Sequence, residues 1–182
     1  MAKLIFGMNT SLDGYVNHDA MEAPGPALFD FYIELMRGLS GCIYGRGLYE
    51  LMRYWDGDNF EQDVSTRGPA LRAFAEAWRA CPKWVVSRSL KSVGPNATLI
   101  GDDFEAAIRK LRGELDGRID VGGPKLAASL GKLGLIDEYQ MYVRPFVLGK
   151  GAPFFVEALP KLTLVGSERV GEDAVRLRYV VG

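Results

Sequence analysis

Two hydrophobic patterns take turns along the chain, and together they predict its secondary structure. Short continuous apolar runs are typical of buried strands, and they cover residues 3–8, 42–45, 83–87, 97–100 and 119–121. Residues 138–147 predict a longer strand, in which apolar and polar residues partly alternate. Apolar side chains spaced three or four positions apart are typical of amphipathic helices, and they cover residues 26–37, 46–54, 69–80, 102–115 and 124–133. Residues 161–170 and 175–181 predict a final antiparallel pair joined by a tight turn. This order favours an α/β fold in three layers, with a mixed, mostly parallel sheet, helices on both faces and antiparallel C-terminal strands at one edge.

Two polar segments are predicted to be loops. Residues 9–25 are long for a connection in a compact domain, and such loops are often functional. Residues 55–68 are equally polar and predict a surface loop.

Residues 118–155 are the part of the chain around which the other predicted elements are arranged. They read as a strand, a Gly122-Gly123 turn, a helix that begins at Pro124, a second strand and a glycine-rich loop. The unpaired N–H groups and the dipole of a helix start attract anions, and Lys125 adds a positive charge there. The turn is therefore a candidate cradle for a pyrophosphate. A tight turn with no ligand is the alternative, because a Gly-Gly pair alone predicts function poorly.

Four predicted strand ends carry glycine, serine or arginine. In an open α/β sheet, ligands bind outside the carboxyl ends of the strands. Arg46 and Arg88 follow two of these ends, and a guanidinium matches the geometry of a phosphate. Each arginine taken alone could equally form an exposed salt bridge. Together with Ser87 and the Gly-Gly turn, the set favours an elongated polyanion.

Composition narrows the class of protein. The chain has 182 residues, which fits a single domain over positions 1–182, with 48% hydrophobic and 25% charged residues. A net charge of −1 gives no global attraction to nucleic acid or anionic membranes. No apolar run reaches the ~20 residues that span a bilayer, and the N-terminus lacks the features of a signal peptide. A cytoplasmic location is the expectation.

Metal-binding and disulfide-forming residues are few. Cys42 and Cys81 do not form a C-x-x-C pair, and His18 is the only histidine. We therefore expect neither a bound metal nor a disulfide framework.

Five motifs resemble one known family. They are N-T-S-L-D-G-Y at 9–15, I-Y-G-R-G-L-Y-E at 43–50, V-V-S-R-S-L at 85–90, V-G-G-P-K-L at 121–126, and the tail G-L-I-D-E-Y…R-P-F-V-L-G-K-G-A-P-F-F at 134–155. Their order and spacing resemble the dihydrofolate reductase-like family, specifically the RibD C-terminal type, which is the reductase domain of bacterial riboflavin biosynthesis. The resemblance covers nearly the whole chain and implies a small stand-alone NADPH-dependent reductase.

The resemblance also implies roles for residues. The residues that it implies for cofactor binding are Asn9, Thr10 and Ser11 beside the nicotinamide, Gly45, Arg46 and Gly47 at the pyrophosphate and adenosine side, Ser87 and Arg88 at the 2′-phosphate, and Gly122, Gly123, Pro124 and Lys125 at the pyrophosphate. Hydride would pass to a small planar heterocyclic or carbonyl-like substrate, as in 5-amino-6-(5-phosphoribosylamino)uracil reductase or dihydrofolate reductase. The resemblance to folate reductases further suggests a cis Gly122–Gly123 peptide.

The chain departs from both named enzymes. Residues 49–60 lack the segment that helps riboflavin-pathway reductases hold a ribose phosphate, and the zinc deaminase half is absent. The early helix acid of folate reductases has only offset counterparts, Asp30 and Glu34. A proton would come from water or from one acid, with Asp13 first and Glu34 second. Asp13 lies in a Leu-Asp-Gly turn, so a structural role is equally open.

Three functions remain possible at this stage. The first is the reductase, the second a sensor that binds NADP(H) without turnover, and the third a dimeric structural module. A homodimer is expected in any case, because residues 139–147 and the terminal strand pair are more apolar than one exposed sheet edge allows.

Overall fold

The computed structural model describes residues 1–58 and 68–182. Within them, the strands are β1 (Lys3–Thr10), β2 (Tyr15–Val16), β3 (Gly41–Gly45), β4 (Lys83–Val86), β5 (Ala97–Ile100), β6 (Arg118–Gly122), β7 (Glu138–Val143), β8 (Ala152–Pro153), β9 (Leu162–Val170) and β10 (Ala174–Val181). The helices are α1 (Pro26–Arg37), α2 (Arg46–Met52), α3 (Gly68–Ala80), α4 (Phe104–Glu114) and α5 (Pro124–Lys132). Short 3-10 turns occupy His18–Ala20 and Arg53–Asp56. Most of the loop predicted at 55–68 lies outside the described residues.

Eight of the strands form one sheet in the order β5-β4-β3-β6-β1-β7-β10-β9. The pairs from β5 to β7 are parallel, whereas β10 runs antiparallel to both β7 and β9. The fold prediction is confirmed, including the antiparallel C-terminal edge. β7 lies inside the sheet between β1 and β10, so its apolar residues are not an exposed edge, and that part of the reasoning for a dimer was wrong.

Helices cover both faces of this sheet because side chains alternate along each strand. In β6, Ile119 and Val121 pack into a cluster that includes residues of α4 and α5. Cys42 and Tyr44 of β3 face the opposite cluster, which includes residues of α1 and α3. Asp120 lies between Ile119 and Val121 and therefore points toward the α1 face, where the Tyr44 hydroxyl donates to its carboxylate at 3.1 Å.

The turn between β9 and β10 docks on the start of α1. Glu172 accepts hydrogen bonds from the backbone N–H groups of Ala27 at 2.6 Å and Leu28 at 3.1 Å. These are two of the donors that a helix start leaves unpaired. Arg144, which follows β7, donates from Nη2 to Asp173 at 3.0 Å in the same turn. The hairpin therefore fixes α1 over the sheet.

The ends of some elements differ from the prediction because strand pairing or a turn of the backbone sets them. β1 continues to Thr10 because Met8, Asn9 and Thr10 pair with β7. β7 ends at Val143, and the bond from Phe146 N to the Arg144 carbonyl turns the chain there. The short β2–β8 pair has only two residues per strand, too few for any periodicity to reveal it.

No helix in the described part of the chain is both long and apolar enough to cross a membrane.

Candidate active site

Six parallel strands end at one edge of the sheet, and the predicted site residues follow four of them. The carboxyl ends of β4, β3, β6 and β1 lie in that order along the edge. β3 and β6 are direct neighbours, with Tyr44 opposite Gly122. Since α2 follows β3 and α5 follows β6 without an intervening loop, the two helices begin side by side. This edge therefore offers two sets of unpaired helix N–H groups together.

The start of α5 is open to a ligand. Gly123 is the N-cap with φ 104°, a positive value that favours glycine, and a side chain at this position would meet no atom within 4 Å. Pro124 takes the first helical position, and Lys125 beside it is exposed. The partial positive charge of the helix start and the ammonium of Lys125 therefore act at the same accessible place.

Gly122 does not share this openness. A Cβ on Gly122 would lie 2.3 Å from Leu48 Cδ2 and 2.3 Å from Tyr44 Cδ1. The protein's own side chains fill the space on the Cβ side of Gly122, so close packing requires a glycine there. The Gly122–Gly123 peptide is also trans, contrary to the suggested cis bond. The positive φ of Gly123 makes the turn without it.

The start of α2 presents an arginine. Gly45 is the N-cap and provides no side-chain hydrogen bond, so the first N–H groups of the helix stay available. A Cβ on Gly47 would meet nothing within 4 Å. Arg46 is exposed and has no ion-pair or hydrogen-bond partner within the part of the chain that the structure describes. Its guanidinium is free to bind an anion at the junction of α2 and α5.

The end of β4 is more complex than the sequence suggested. Ser87 Oγ accepts from the backbone N–H of Ser89 at 3.2 Å and of Leu90 at 3.1 Å, which holds the loop after the strand. Arg88 Nε lies 2.8 Å from Asp102, and both side chains are largely exposed. Asp102 follows the neighbouring strand β5. No acid directly follows β4 in the sequence, but the fold brings Asp102 there from the end of β5.

Three polar side chains at the end of β1 differ in their burial and in their hydrogen-bond partners. Asn9 Oδ1 accepts from the Tyr32 hydroxyl of α1 at 2.5 Å. Ser11 Oγ accepts from the N–H of Tyr15 at 3.0 Å and so closes the following turn. Thr10 is fully buried, and among the residues that the structure describes its hydroxyl has no hydrogen-bond partner. A buried hydroxyl without a partner costs about 1–3 kcal/mol.

Neither predicted proton donor is suited to that role. Asp13 is exposed and accepts from the N–H groups of Leu148 at 3.1 Å and Gly149 at 2.7 Å. Hydrogen bonds from Ser11, Gly149 and Leu148 lower the pKa of Asp13 to about 2, so its carboxylate carries no proton at neutral pH. Its contacts indicate the structural role, which joins two loops.

Glu34 lies in the third turn of α1, close to the end of that helix. Its side chain is exposed and pairs with Arg37 Nη1 at 2.6 Å. α1 begins near the carboxyl edge of the sheet and runs toward the opposite edge, so Glu34 lies away from the strand ends. Asp30 is exposed as well.

Several polar residues near this edge escaped the sequence analysis. Burial raises the pKa of Tyr32, and it raises that of Tyr142 to about 12, so both phenols stay neutral and able to donate. Burial also raises the pKa of Asp120 to about 7. Arg144 is 3% exposed and bonded to Asp173. No local pattern could have found these pairs, because every one joins distant elements.

Comparison with known proteins decides the family. The model of the RibD C-terminal domain matches residues 2–176. The chain belongs to the RibD C-terminal domain family. The resemblance predicted from the motifs is thereby confirmed, and residues 2–176 form a reductase-like domain of this family.

Relatives of this RibD C-terminal domain are distant in sequence and close in fold. An uncharacterized protein, YyaP of Bacillus subtilis strain 168, is 24% identical, with 97% of this chain and 94% of that protein covered. The crystal structure of a putative riboflavin biosynthesis protein from Shewanella sp. PV-4 matches with TM-score 0.68 and 20% identity, over 99% of this chain and 98% of that one.

A larger relative is bifunctional. The structure of the Thermotoga maritima diaminohydroxyphosphoribosylaminopyrimidine deaminase/5-amino-6-(5-phosphoribosylamino)uracil reductase matches with TM-score 0.65 and 16% identity. All of this RibD C-terminal domain is covered, but only 57% of the Thermotoga chain. At these identities the structural matches establish a shared fold.

Proposed function

We propose that this chain is an NADPH-dependent reductase that acts on a small planar heterocyclic or carbonyl-like substrate. One observation carries the proposal: α2 and α5 begin side by side at the carboxyl edge, where Gly47 and Gly123 are open and the Arg46 cation has no partner among the described residues. Membership of the RibD C-terminal family adds the reductase class.

The residues present fit such a cofactor. The N–H groups that follow Gly45 and Gly123 suit the pyrophosphate, with Arg46 and Lys125 supplying positive charge. We assign Asn9, Thr10 and Ser11 to the nicotinamide end because they stand at the carboxyl end of β1. When bound, the cofactor supplies the hydride. The protein's role is to orient the nicotinamide and the planar substrate toward each other and to exclude water.

The substrate side lies at the junction of β1 and α1. Because Asn9 Oδ1 already accepts from Tyr32, the N–H₂ of Asn9 is the part of its amide left to donate. A carbonyl or ring nitrogen of a planar substrate is the matching acceptor. With Asp13 held ionised and Glu34 outside the edge, water is the proton source in this proposal.

The choice between NADPH and NADH rests on Arg88. An exposed ion pair such as Arg88–Asp102 contributes about 0–1 kcal/mol. A 2′-phosphate can therefore replace Asp102 as the partner of Arg88 with little loss of free energy. A charge-assisted bond to phosphate contributes about 1.5–3 kcal/mol, or roughly tenfold to a hundredfold in affinity. NADPH should bind more tightly than NADH by that factor.

Titration calorimetry tests this choice. Arg88→Ala should remove most of the preference and leave NADH affinity nearly unchanged, whereas the exposed Arg37→Ala on the far side of α1 should change neither. Asp102→Asn should raise NADPH affinity further, because Arg88 loses its competitor. Equal affinities in the wild type, or an Arg88→Ala protein with its full preference, would refute the assignment.

A non-catalytic sensor is the alternative. Its support is that Asp13 is held ionised and that Glu34 lies away from the edge. Both functions require NADPH affinity, so the discriminating assay is oxidation of bound NADPH with a panel of pyrimidine, pteridine and quinone substrates. Turnover with any of them supports the reductase, and affinity without turnover supports the sensor.

We also propose that the chain forms a homodimer through its C-terminal strands. β9 is an edge strand, and Leu164, Val165, Val175 and Val181 on β9 and β10 are 43–52% exposed. Exposed apolar edges require cover. Light scattering that gives the 20.1 kDa monomer mass at micromolar concentration would contradict this proposal.

A further inference from the structure

Two buried cysteines lie in contact on the α1 face of the sheet. Cys42 belongs to β3, and Cys81 follows α3 immediately before β4. Their sulfur atoms are 3.4 Å apart although 39 positions separate them along the chain. Cys42 is completely buried, and Cys81 is 5% exposed. The sequence showed no C-x-x-C spacing, so this dithiol is formed only by the fold.

A buried lysine lies beside the two thiols. Lys83 is opposite Cys42 in the β3–β4 register. Its ammonium donates to the carbonyl of Trp78 at 2.6 Å and to the carbonyl of Cys81 at 2.7 Å, and it lies 4.5 Å from the centre of the Trp78 ring. This arrangement holds a positive charge next to the sulfur pair.

The two sulfurs differ in their readiness to ionise. The hydrogen bond from Cys42 and the nearby Lys83 ammonium lower the pKa of Cys81, whereas the bond to Cys81 and burial raise the pKa of Cys42. Burial lowers the pKa of Lys83, and the cysteines oppose that change. Cys81 is thus both the more nucleophilic and the more accessible thiol.

We propose that Cys42 and Cys81 form a redox modification site, at which a small hydroperoxide oxidises the dithiol to a reversible intrachain disulfide. The Cys81 thiolate attacks one oxygen of hydrogen peroxide, so that an S–O bond forms, the O–O bond breaks, and the leaving hydroxide takes up the proton that Cys81 released and becomes the first water. The Cys42 sulfur then attacks the Cys81 sulfur, so that the S–S bond forms, the S–O bond breaks, and the leaving oxygen takes up the Cys42 proton and becomes the second water. Two electrons pass from the sulfurs to the peroxide, and both thiol protons end in water.

The geometry favours this product over higher oxidation. Forming the S–S bond requires the sulfurs to move from 3.4 Å to about 2.05 Å, a shift that the connection between α3 and β4 can absorb at the surface-exposed Pro82. Since Cys42 is in contact before oxidation begins, the sulfenic acid on Cys81 meets its resolving thiol at once. The low exposure of Cys81 restricts the oxidant to the size of hydrogen peroxide.

Intact mass spectrometry after hydrogen peroxide treatment of the folded, reduced protein is the test. The wild type should lose the mass of two hydrogen atoms, and peptide mapping should find Cys42 joined to Cys81 within one chain. Dithiothreitol, added after unfolding in urea, should restore the original mass. Cys42→Ala should instead gain the mass of one oxygen atom on Cys81, whereas Cys81→Ala should resist oxidation while folded.

Other outcomes would overturn the proposal. These are a folded wild type that keeps both thiols, a disulfide between two chains, direct passage to sulfinic acid, or equal oxidation rates of the two single variants. The measurement on the wild type stands alone if either variant fails to fold.

Discussion

Replacing Asp120 by asparagine should change how the stability of this protein depends on pH. Asp120 lies on β6 at the α1 face, and its carboxylate accepts from the Tyr44 hydroxyl at 3.1 Å. Burial raises its pKa from 3.8 to about 7, while the bond from Tyr44 and the charge of Arg118 act in the opposite direction. Asparagine keeps the shape and an acceptor for Tyr44 but never ionises.

The direction in which the stability changes with pH follows from proton uptake. Between pH 4 and pH 7, roughly, the folded wild type holds a proton that the unfolded chain has released, so its free energy of unfolding falls as pH rises through that window. The pKa difference of about three units corresponds to at most about 4 kcal/mol. Asp120 keeps partial exposure, and solvent screening reduces the value, so we expect roughly 2–4 kcal/mol.

Urea unfolding at several pH values measures the effect. Asp120→Asn should match the wild type near pH 4 and exceed its stability at pH 8 by the amount above. The exposed Asp19→Asn removes the same charge at the surface and should follow the wild type throughout. A constant stability difference between Asp120→Asn and the wild type at every pH would refute the reasoning.

Three further predictions concern single contacts. Arg144→Ala should cost about 3–5 kcal/mol in urea unfolding, because Asp173 loses its partner in a largely buried ion pair, whereas the exposed Arg37→Ala should stay within about 0.5 kcal/mol. Gly122→Ala should cost about 1–3 kcal/mol through overlap with Tyr44 and Leu48, while Gly47→Ala, with open space around it, should cost less than half as much; equal costs would contradict the packing argument. Asp13→Ala should speed hydrogen exchange at the amides of Leu148 and Gly149, measured by NMR, and unchanged exchange would exclude the loop-joining role.

Local sequence signals predicted most of the fold. α1 was predicted with the bounds that the structure has, because Pro26 and Gly38 mark its two ends. The parallel order of the sheet followed from the alternation of strands and helices. By contrast, β2 and β8 pair over only two residues and carry no periodic signal.

The site was less predictable because its details depend on tertiary contacts. Gly122 and Gly123 are adjacent and identical in the sequence, yet one is required by close packing and the other by its positive φ. Asp13 finds its partners 135 and 136 positions away, and Arg88 meets Asp102 only because β4 and β5 end together. No local pattern encodes such pairings, which is why Asp13 was chosen as a proton donor.

The argument for a dimer also depends on tertiary structure, because the sequence does not show which strands lie at the edge of the sheet. The apolar run at 138–147 is typical of an exposed or a buried strand alike, and only the strand order places β7 inside the sheet. Exposed apolar residues on β9 and β10 now carry that proposal alone.

A crystal structure of the chain with bound NADPH tests the central claim most directly. The account predicts the pyrophosphate between the first N–H groups of α2 and α5, within reach of Arg46 and Lys125. It places the 2′-phosphate at Arg88 and the nicotinamide beside Asn9, Thr10 and Ser11. A cofactor bound away from this edge, or no bound cofactor at millimolar NADPH, would contradict the account.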